Sequence, residues 1–221
     1  IEHILQRHHG IENPTYEDVK KYYDENIHPD TIDIEDQKIY KNVFHKGKWA
    51  GVFQFTEQGA QKFCARVKPK NIIDISAITS IYRPGPLSAD VHEEYIEAMA
   101  HPQRIPYLSD EDREITEETF GFLIFQEQIA LLAHKLGGLT LDEGNLLRKV
   151  LTKKGTGKGG IKTKLRVKFV DGCVANGIDK DEAISLWNRF EYFSGYGFNK
   201  SHAVSYSMIS YQCAWLWTYY P

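Results

Sequence analysis

Apolar residues recur along much of the chain at helical spacing, and short polar, glycine- or proline-containing breaks divide the segments they define. The first 30 residues read as short helices with a turn at "ENPT", where Pro14 suits a first helical position. "DIEDQKIYKNVFHKG" places Ile39, Val43 and Phe44 on one side and ends on Gly47, which predicts a helix with a glycine C-cap. "KWAGVFQF" is β-branched and aromatic and predicts a short strand. Thr56 is placed to cap the helix "EQGAQKFCARV", which stops before Pro69. "NIIDISAITSIY" predicts a further apolar helix, broken by "RPGPL".

Beyond that break, Ser88 opens an acidic-faced helix, "ADVHEEYIEAMAH". "HPQRIPYLSDEDREITEETF" reads as a polar loop, and "GFLIFQ" as a second strand. Helices follow. "EQIALLAHKLGG" ends in a glycine pair, and "TLDEGNLLRKVLTKK" begins with Thr140 and Glu143 at capping-box spacing. "IKTKLRVKFVDGCVANG" is a basic helix, and "DKDEAISLWNRFEYF" repeats the cap pattern with Asp179 and Glu182. Ser201 is expected to cap "HAVSYSMISYQCAWLWTYY", apolar nearly all round and therefore expected to be buried. The predicted class is mainly α with a few short strands (α+β).

Composition sets bounds on this picture. The chain has 221 residues, 42% hydrophobic and 26% charged, ordinary values for a globular protein with a real core. No apolar run reaches the roughly 18 residues of a membrane span, and no signal peptide is visible. Three cysteines without CxxC spacing read as reduced thiols in a cytosolic setting. Charge changes the picture more. Residues 1–147 carry 15 Lys/Arg against 25 Asp/Glu, whereas residues 148–221 carry 12 against 5. The C-terminal third is therefore expected to face an anion.

The basic character concentrates between Arg148 and Lys168, where nine cations (Arg148, Lys149, Lys153, Lys154, Lys158, Lys162, Lys164, Arg166, Lys168) occur without an acid. Such a run suits salt-dependent attraction to phosphates; a solvated basic face is the plainer alternative. "KKGTGKGG" within it is not a P-loop: Thr152 stands where the first glycine is needed, and Gly159 follows Lys158 in place of Ser or Thr. Carboxylate pairs are few. Asp33/Glu35 and Asp110/Asp112 lie in polar stretches that read as solvated, and no HExxH or Cys/His cluster points to a metal. In "YRPGPL" a rigid turn presents Arg83 for a phosphate or carboxylate contact. In "FSGYGFNKSHAVSYS", Tyr196 and Phe198 offer stacking faces, and Asn199, Lys200, Ser201 and His202 stand at a helix N-terminus, where backbone N–H groups attract anions.

Six stretches, "GVFQFTEQG", "YRPGPL", "IFQEQI", "LLRKVLTKK", "GYGFNKSHAVSY" and "SYQCAWLWTYYP", together resemble the C-family replicases, the alpha subunits of bacterial DNA polymerase III, and occur in that family's order. The resemblance implies a fragment of a longer cellular or phage protein. Residues 1–50 would be the connecting helices from palm to fingers, and residues 51–221 the N-terminal part of a helical fingers domain. It implies replicative, DNA-directed DNA polymerase activity in the cytoplasm, with a dNTP, template-primer DNA, a sliding clamp and other replisome subunits as partners. The family's catalytic aspartates, in Asp-x-Asp and Lys-Phe-Asp elements, would hold two Mg2+ ions upstream of Ile1, leaving this fragment alone inactive.

The family's paired arginines, which grip the incoming triphosphate, match Arg148 and Lys149, a lysine keeping the charge but not the bidentate fork. Its lysine-rich element matches Lys153 and Lys154, and its "FNKSH" element matches Phe198 to His202, which with Tyr196 would line the nucleotide pocket. Arg83, Lys158, Lys162, Lys164, Arg166 and Lys168 are candidates for DNA phosphate contact. The rival reading is a non-catalytic helical nucleic-acid-binding module.

Overall fold

In a computed structural model, residues 1–83, 86, 90–152, 159–193 and 197–221 are described. Two compact units are formed, one by Ile1–Ile75 with Val204–Pro221, the other by Ser76–Ala203.

The first unit contains α1 (Glu2–His9), α2 (Tyr16–Asn26), the single turn α3 (Gln37–Ile39), α4 (Gln58–Val67), and parts of α5 (Ile72–Ile81) and α12 (Lys200–Tyr219). Pro14 precedes the first of its long helices without entering it. Thr15 is the N-cap of α2, in a reciprocal box with Asp18. The helix expected to end on Gly47 forms as α3 and continues as a π-helical turn, Tyr40–Phe44, with Gly47 at φ 71. This turn seats Tyr40, Val43 and Phe44 in the core, where Phe44 meets Phe55 edge-on at 5.6 Å and Tyr40 lies 5.2 Å from Tyr211. The strand predicted over 48–55 does not form. Val52 N–H donates to Trp49 O and Phe55 N–H to Val52 O, so successive turns satisfy the backbone, and Trp49 stacks on Phe55 at 5.3 Å. Nor does Thr56 cap α4, whose N-cap is Glu57. The last helix is only partly buried. Ser207, Ser210, Tyr211 and Ala214 form its inner stripe, while Ile209 is 44% exposed.

The second unit holds α6 (Val91–Ala100), α7 (Asp110–Thr116), α8 (Gln126–Lys135), α9 (Leu141–Thr152), α10 (Gly159–Ala175) and α11 (Lys180–Phe193). Packing follows chain order: α7 against α8, α8 against α9, α9 against α10, and α10 against α11. One core joins them, with Ile129, Leu132, Leu147, Leu165, Phe169, Trp187 and Phe190 all buried and Phe169 5.1 Å from Phe190. Gly172 of α10 lies against the backbone of Gly137, where a Cβ would meet the Gly137 carbonyl oxygen at 2.0 Å. That approach brings Phe169 into the core beside the end of α8.

The caps predicted at Thr140 and Asp179 form, whereas Ser88 lies outside the described residues. Thr140 N–H donates to Glu143 Oε2 at 2.8 Å and Glu143 N–H to Thr140 Oγ1 at 3.2 Å, while Asp179 Oδ1 accepts from Asp181 and Glu182 N–H. Asp112, read from sequence as solvated, is only 3% exposed: it accepts from Leu108 N–H and from Thr116 Oγ1. The second predicted strand forms only a single parallel bridge, Phe125 with Phe198, and its last residue, Gln126, opens α8. Among the described residues the protein is thus mainly helical, and this bridge is its β pairing.

Candidate functional site

The bridge draws two sequence motifs together at the start of α8. Phe198 N–H donates to Ile124 O at 3.0 Å and Gln126 N–H to Phe198 O at 2.9 Å, which lays the "GFN" segment alongside "IFQ". Gln126 adds a side-chain tie: its Nε2 donates to Gly197 O at 2.8 Å. A Cβ on Gly197 would stand 3.1 Å from Gln126 Cγ and 3.3 Å from Phe193 O, so glycine permits this approach. The other end of the same amide faces α9, where Arg148 Nη1 donates to Gln126 Oε1 at 2.8 Å. Arg148 is half-buried, and Lys149 beside it is exposed.

Asn199 ends the loop and caps α12. Its Oδ1 accepts from His202 N–H at 2.9 Å and from Ser201 Oγ at 2.7 Å. Asparagine, rather than the Ser201 expected from sequence, is thus the cap. The Glu127 carboxylate occupies the same helix N-terminus, accepting from Lys200 N–H at 3.0 Å and from Asn199 Nδ2 at 2.7 Å, a placement the helix dipole favours. The Lys200 ammonium turns to both oxygens of Glu118, at 2.6 and 2.7 Å, with the Phe125 ring 5.7 Å away. Both partners are about one-third exposed, so the pair is partly screened. Phe198 is half-buried, edge-on to His202 at 5.2 Å, with the Arg83 guanidinium 4.6 Å over its ring. Ser201 and His202 are exposed. The structure therefore gathers Arg83, Arg148, Phe198, Asn199, Lys200, Ser201 and His202 at one place. Tyr196, Lys153, Lys154 and Lys158 lie outside the described residues.

The remaining cations of the basic run lie on α10. Lys164 and Arg166 are exposed. Lys162 pairs with Glu191 at 3.1 Å, and Lys168 with Glu143 at 2.6 Å. Acids distant in sequence thus balance part of a run that has none of its own. The Lys168 bond, aided by Thr140 N–H, holds the Glu143 carboxyl below its ordinary pKa. Burial would raise that of Glu191, but the Trp187 indole N–H and Lys162 outweigh it and the net shift is down.

Gln126, Glu118 and Glu127 carry no assigned role in the sequence reading. The polar "QEQ" directly after the apolar "FLIF" was the available signal, since such a step at a helix start exposes polar groups to whatever packs there. A separate cavity of 930 Å³ lies among Glu93, Glu97, Tyr107, Phe122 and Arg189. The carboxylates of Glu93, Glu94, Glu97 and Asp112 outnumber Arg104 and Arg189 in its lining, which suits phosphate poorly, and the Arg189 guanidinium is engaged with Gly121 O at 2.7 Å. No three His, Cys, Asp or Glu side chains converge as a metal site among the described residues, so none of those residues is assigned to the Mg2+ ions that the resemblance implies. Nor, among them, is any helix long and apolar enough to cross a membrane.

Residues 11–177 match the family described as the bacterial DNA polymerase III alpha subunit finger domain. The chain is similar to the DNA polymerase III subunit alpha of Campylobacter jejuni, with 36% identity over 203 residues, 92% of this chain and 17% of that protein. The corresponding protein of Rickettsia bellii is 40% identical over 210 residues, covering 92% and 17%. That of Vibrio cholerae is 33% identical over 218 residues, covering 96% and 18%. The chain spans about a sixth of the length of these curated relatives.

Proposed function

The chain belongs to the finger-domain family of the bacterial DNA polymerase III alpha subunit, and from that premise we propose that it positions the incoming dNTP and the template-primer for nucleotidyl transfer in a replicative polymerase. The observation that carries this reading is the convergence of three motifs on Gln126: Arg148 from "LLRK", Gln126 from "IFQEQ" and Gly197–Phe198 from "GYGFNK" are hydrogen-bonded into one cluster.

In this reading the Arg148 guanidinium grips triphosphate oxygens, and Lys149, Lys153 and Lys154 add charge along the same segment. Lys200 contributes a second cation by exchanging its Glu118 partner for phosphate, a low-cost exchange because the pair is partly solvated. Phe198, with Tyr196, packs against base or sugar, and Asn199 with His202 shapes the loop that carries them. Lys164 and Arg166, exposed on α10, face DNA phosphates. Binding groups of this kind act by orientation and by offsetting developing charge. In this reading the metal-binding carboxylates belong to the rest of the polymerase.

The test is single-nucleotide extension by the full-length polymerase carrying Arg148→Ala or Lys200→Ala. Each change is expected to raise the dNTP KM at least about tenfold, roughly 1.4 kcal/mol of lost binding, while template-primer affinity stays within twofold. If both changes weaken DNA binding alone and leave dNTP use intact, the cluster serves nucleic-acid binding and the nucleotide reading fails.

A further inference from the structure

Gln126 touches both the α9 arginine and the 197–198 backbone. Its Oε1 accepts from Arg148 Nη1 and its Nε2 donates to Gly197 O, each at 2.8 Å. The two contacts fix the amide's orientation: the end facing Arg148 must be the acceptor, and the end facing a carbonyl must be the donor. The Gln126 backbone is held as well, since its N–H donates to Phe198 O at 2.9 Å while Phe198 N–H returns to Ile124 O at 3.0 Å. The amide therefore extends from a stretch of backbone that is itself held. Glu127, next in sequence, ties down the far side of the loop through Asn199 and Lys200.

We infer that Gln126 is a positioning residue for nucleotide binding: it aims the Arg148 guanidinium and locks it to the loop bearing Phe198, so that the phosphate-binding and base-packing sides of the pocket are set as one piece. The inference rests on the nucleotide reading of Arg148 given above. It assigns Gln126 no contact with the nucleotide. A flexible arginine must surrender rotamer freedom when it binds phosphate, and a side chain already held at one nitrogen surrenders less. Loss of the tie should therefore appear in dNTP KM and leave kcat and DNA affinity nearly unchanged.

The experiment uses the full-length polymerase with a template-primer and one dNTP. Gln126→Met keeps the length and removes both polar contacts. Gln126→Glu keeps the volume and an acceptor for Arg148, but its charge neutralises the guanidinium and it cannot donate to Gly197 O. Both are expected to raise dNTP KM about tenfold, with kcat and the template-primer Kd within twofold. In the Arg148→Ala background, Gln126→Met should add less than a further twofold, because the group it positions is gone. A role confined to packing would leave Gln126→Glu at the wild-type KM, and independent effects would multiply in the double variant; either result overturns the inference. If Gln126→Met does not yield folded protein, Gln126→Glu with its own Arg148→Ala cycle decides by the same criteria. Should Arg148→Ala itself leave KM unchanged, the nucleotide reading falls first. A raised KM for Arg148→Ala beside an unmoved KM for the Gln126 variants refutes the positioning role alone.

Discussion

Replacing Glu127 by alanine removes the carboxylate that anchors the start of α12. Two charge-assisted bonds disappear, one from Asn199 Nδ2 at 2.7 Å and one from Lys200 N–H at 3.0 Å. Bonds to charged groups contribute about 1.5–3 kcal/mol each when shielded. Glu127 is half-buried, and water replaces part of what is lost, so about 1 kcal/mol per bond is the appropriate share. The total, about 2 kcal/mol, lowers the free energy of local opening and multiplies opening-limited amide exchange about thirtyfold. Hydrogen–deuterium exchange, followed by mass spectrometry over the first two turns of α12, reads this directly. His202 N–H, held by Asn199 Oδ1, should accelerate with Lys200 N–H, whereas the core amides of α10 should not. Acceleration below about threefold at Lys200 would refute the account of Glu127 as the anchor of this helix start.

Gly172→Ala tests the close approach of α10 to Gly137. Alanine is the better helix former by about 1 kcal/mol, yet its Cβ would meet the Gly137 carbonyl oxygen, a backbone atom, at 2.0 Å. A net loss of about 2 kcal/mol is expected, lowering the melting temperature by roughly 4–8 °C; a stabilised variant would contradict the packing. Alkaline pH should also destabilise the fold. Burial pushes the Cys173 thiol from 9.0 up to about 11 and raises the Tyr40 and Tyr211 phenols above 10.0. The folded chain thus keeps protons that the unfolded chain releases above pH 9, and stability falls as pH rises through that range. Urea midpoints should be level between pH 7 and 8 and decline above pH 9; a midpoint that holds to pH 11 contradicts this.

How much of this was legible in the sequence follows from how far apart the interacting groups lie. The Thr140–Glu143 box and the Asp179 cap span three residues, so residue types alone predict them. The apolar spacing of Leu165, Phe169 and Cys173, or of Ala183, Leu186, Trp187 and Phe190, marks the core faces that α10 and α11 bury. Residues 48–55 misled because aromatic and β-branched content fits a strand, yet a strand needs a partner, and Trp49 stacked on Phe55 supports turns instead. Asp112 misled for the opposite reason: an acidic stretch reads as solvated until Leu108 N–H and Thr116 Oγ1 close around one carboxylate.

At the candidate site the motifs were legible and their wiring was not. The cations of "LLRK" and the loop "GFNKSH" stand out by type. The partners that organise them lie 22 residues away for Arg148 and 82 for Lys200. Gln126 and Glu127 at the start of α8, and Glu118 in the turn after α7, give no sign in sequence of what will fold onto them.

The most direct measurement is the dNTP KM of full-length polymerase carrying Arg148→Ala, taken beside its template-primer Kd. The account predicts a KM raised at least about tenfold with the Kd unchanged. An unchanged KM, or a KM and Kd that weaken in parallel, would contradict the assignment of this cluster to the incoming nucleotide.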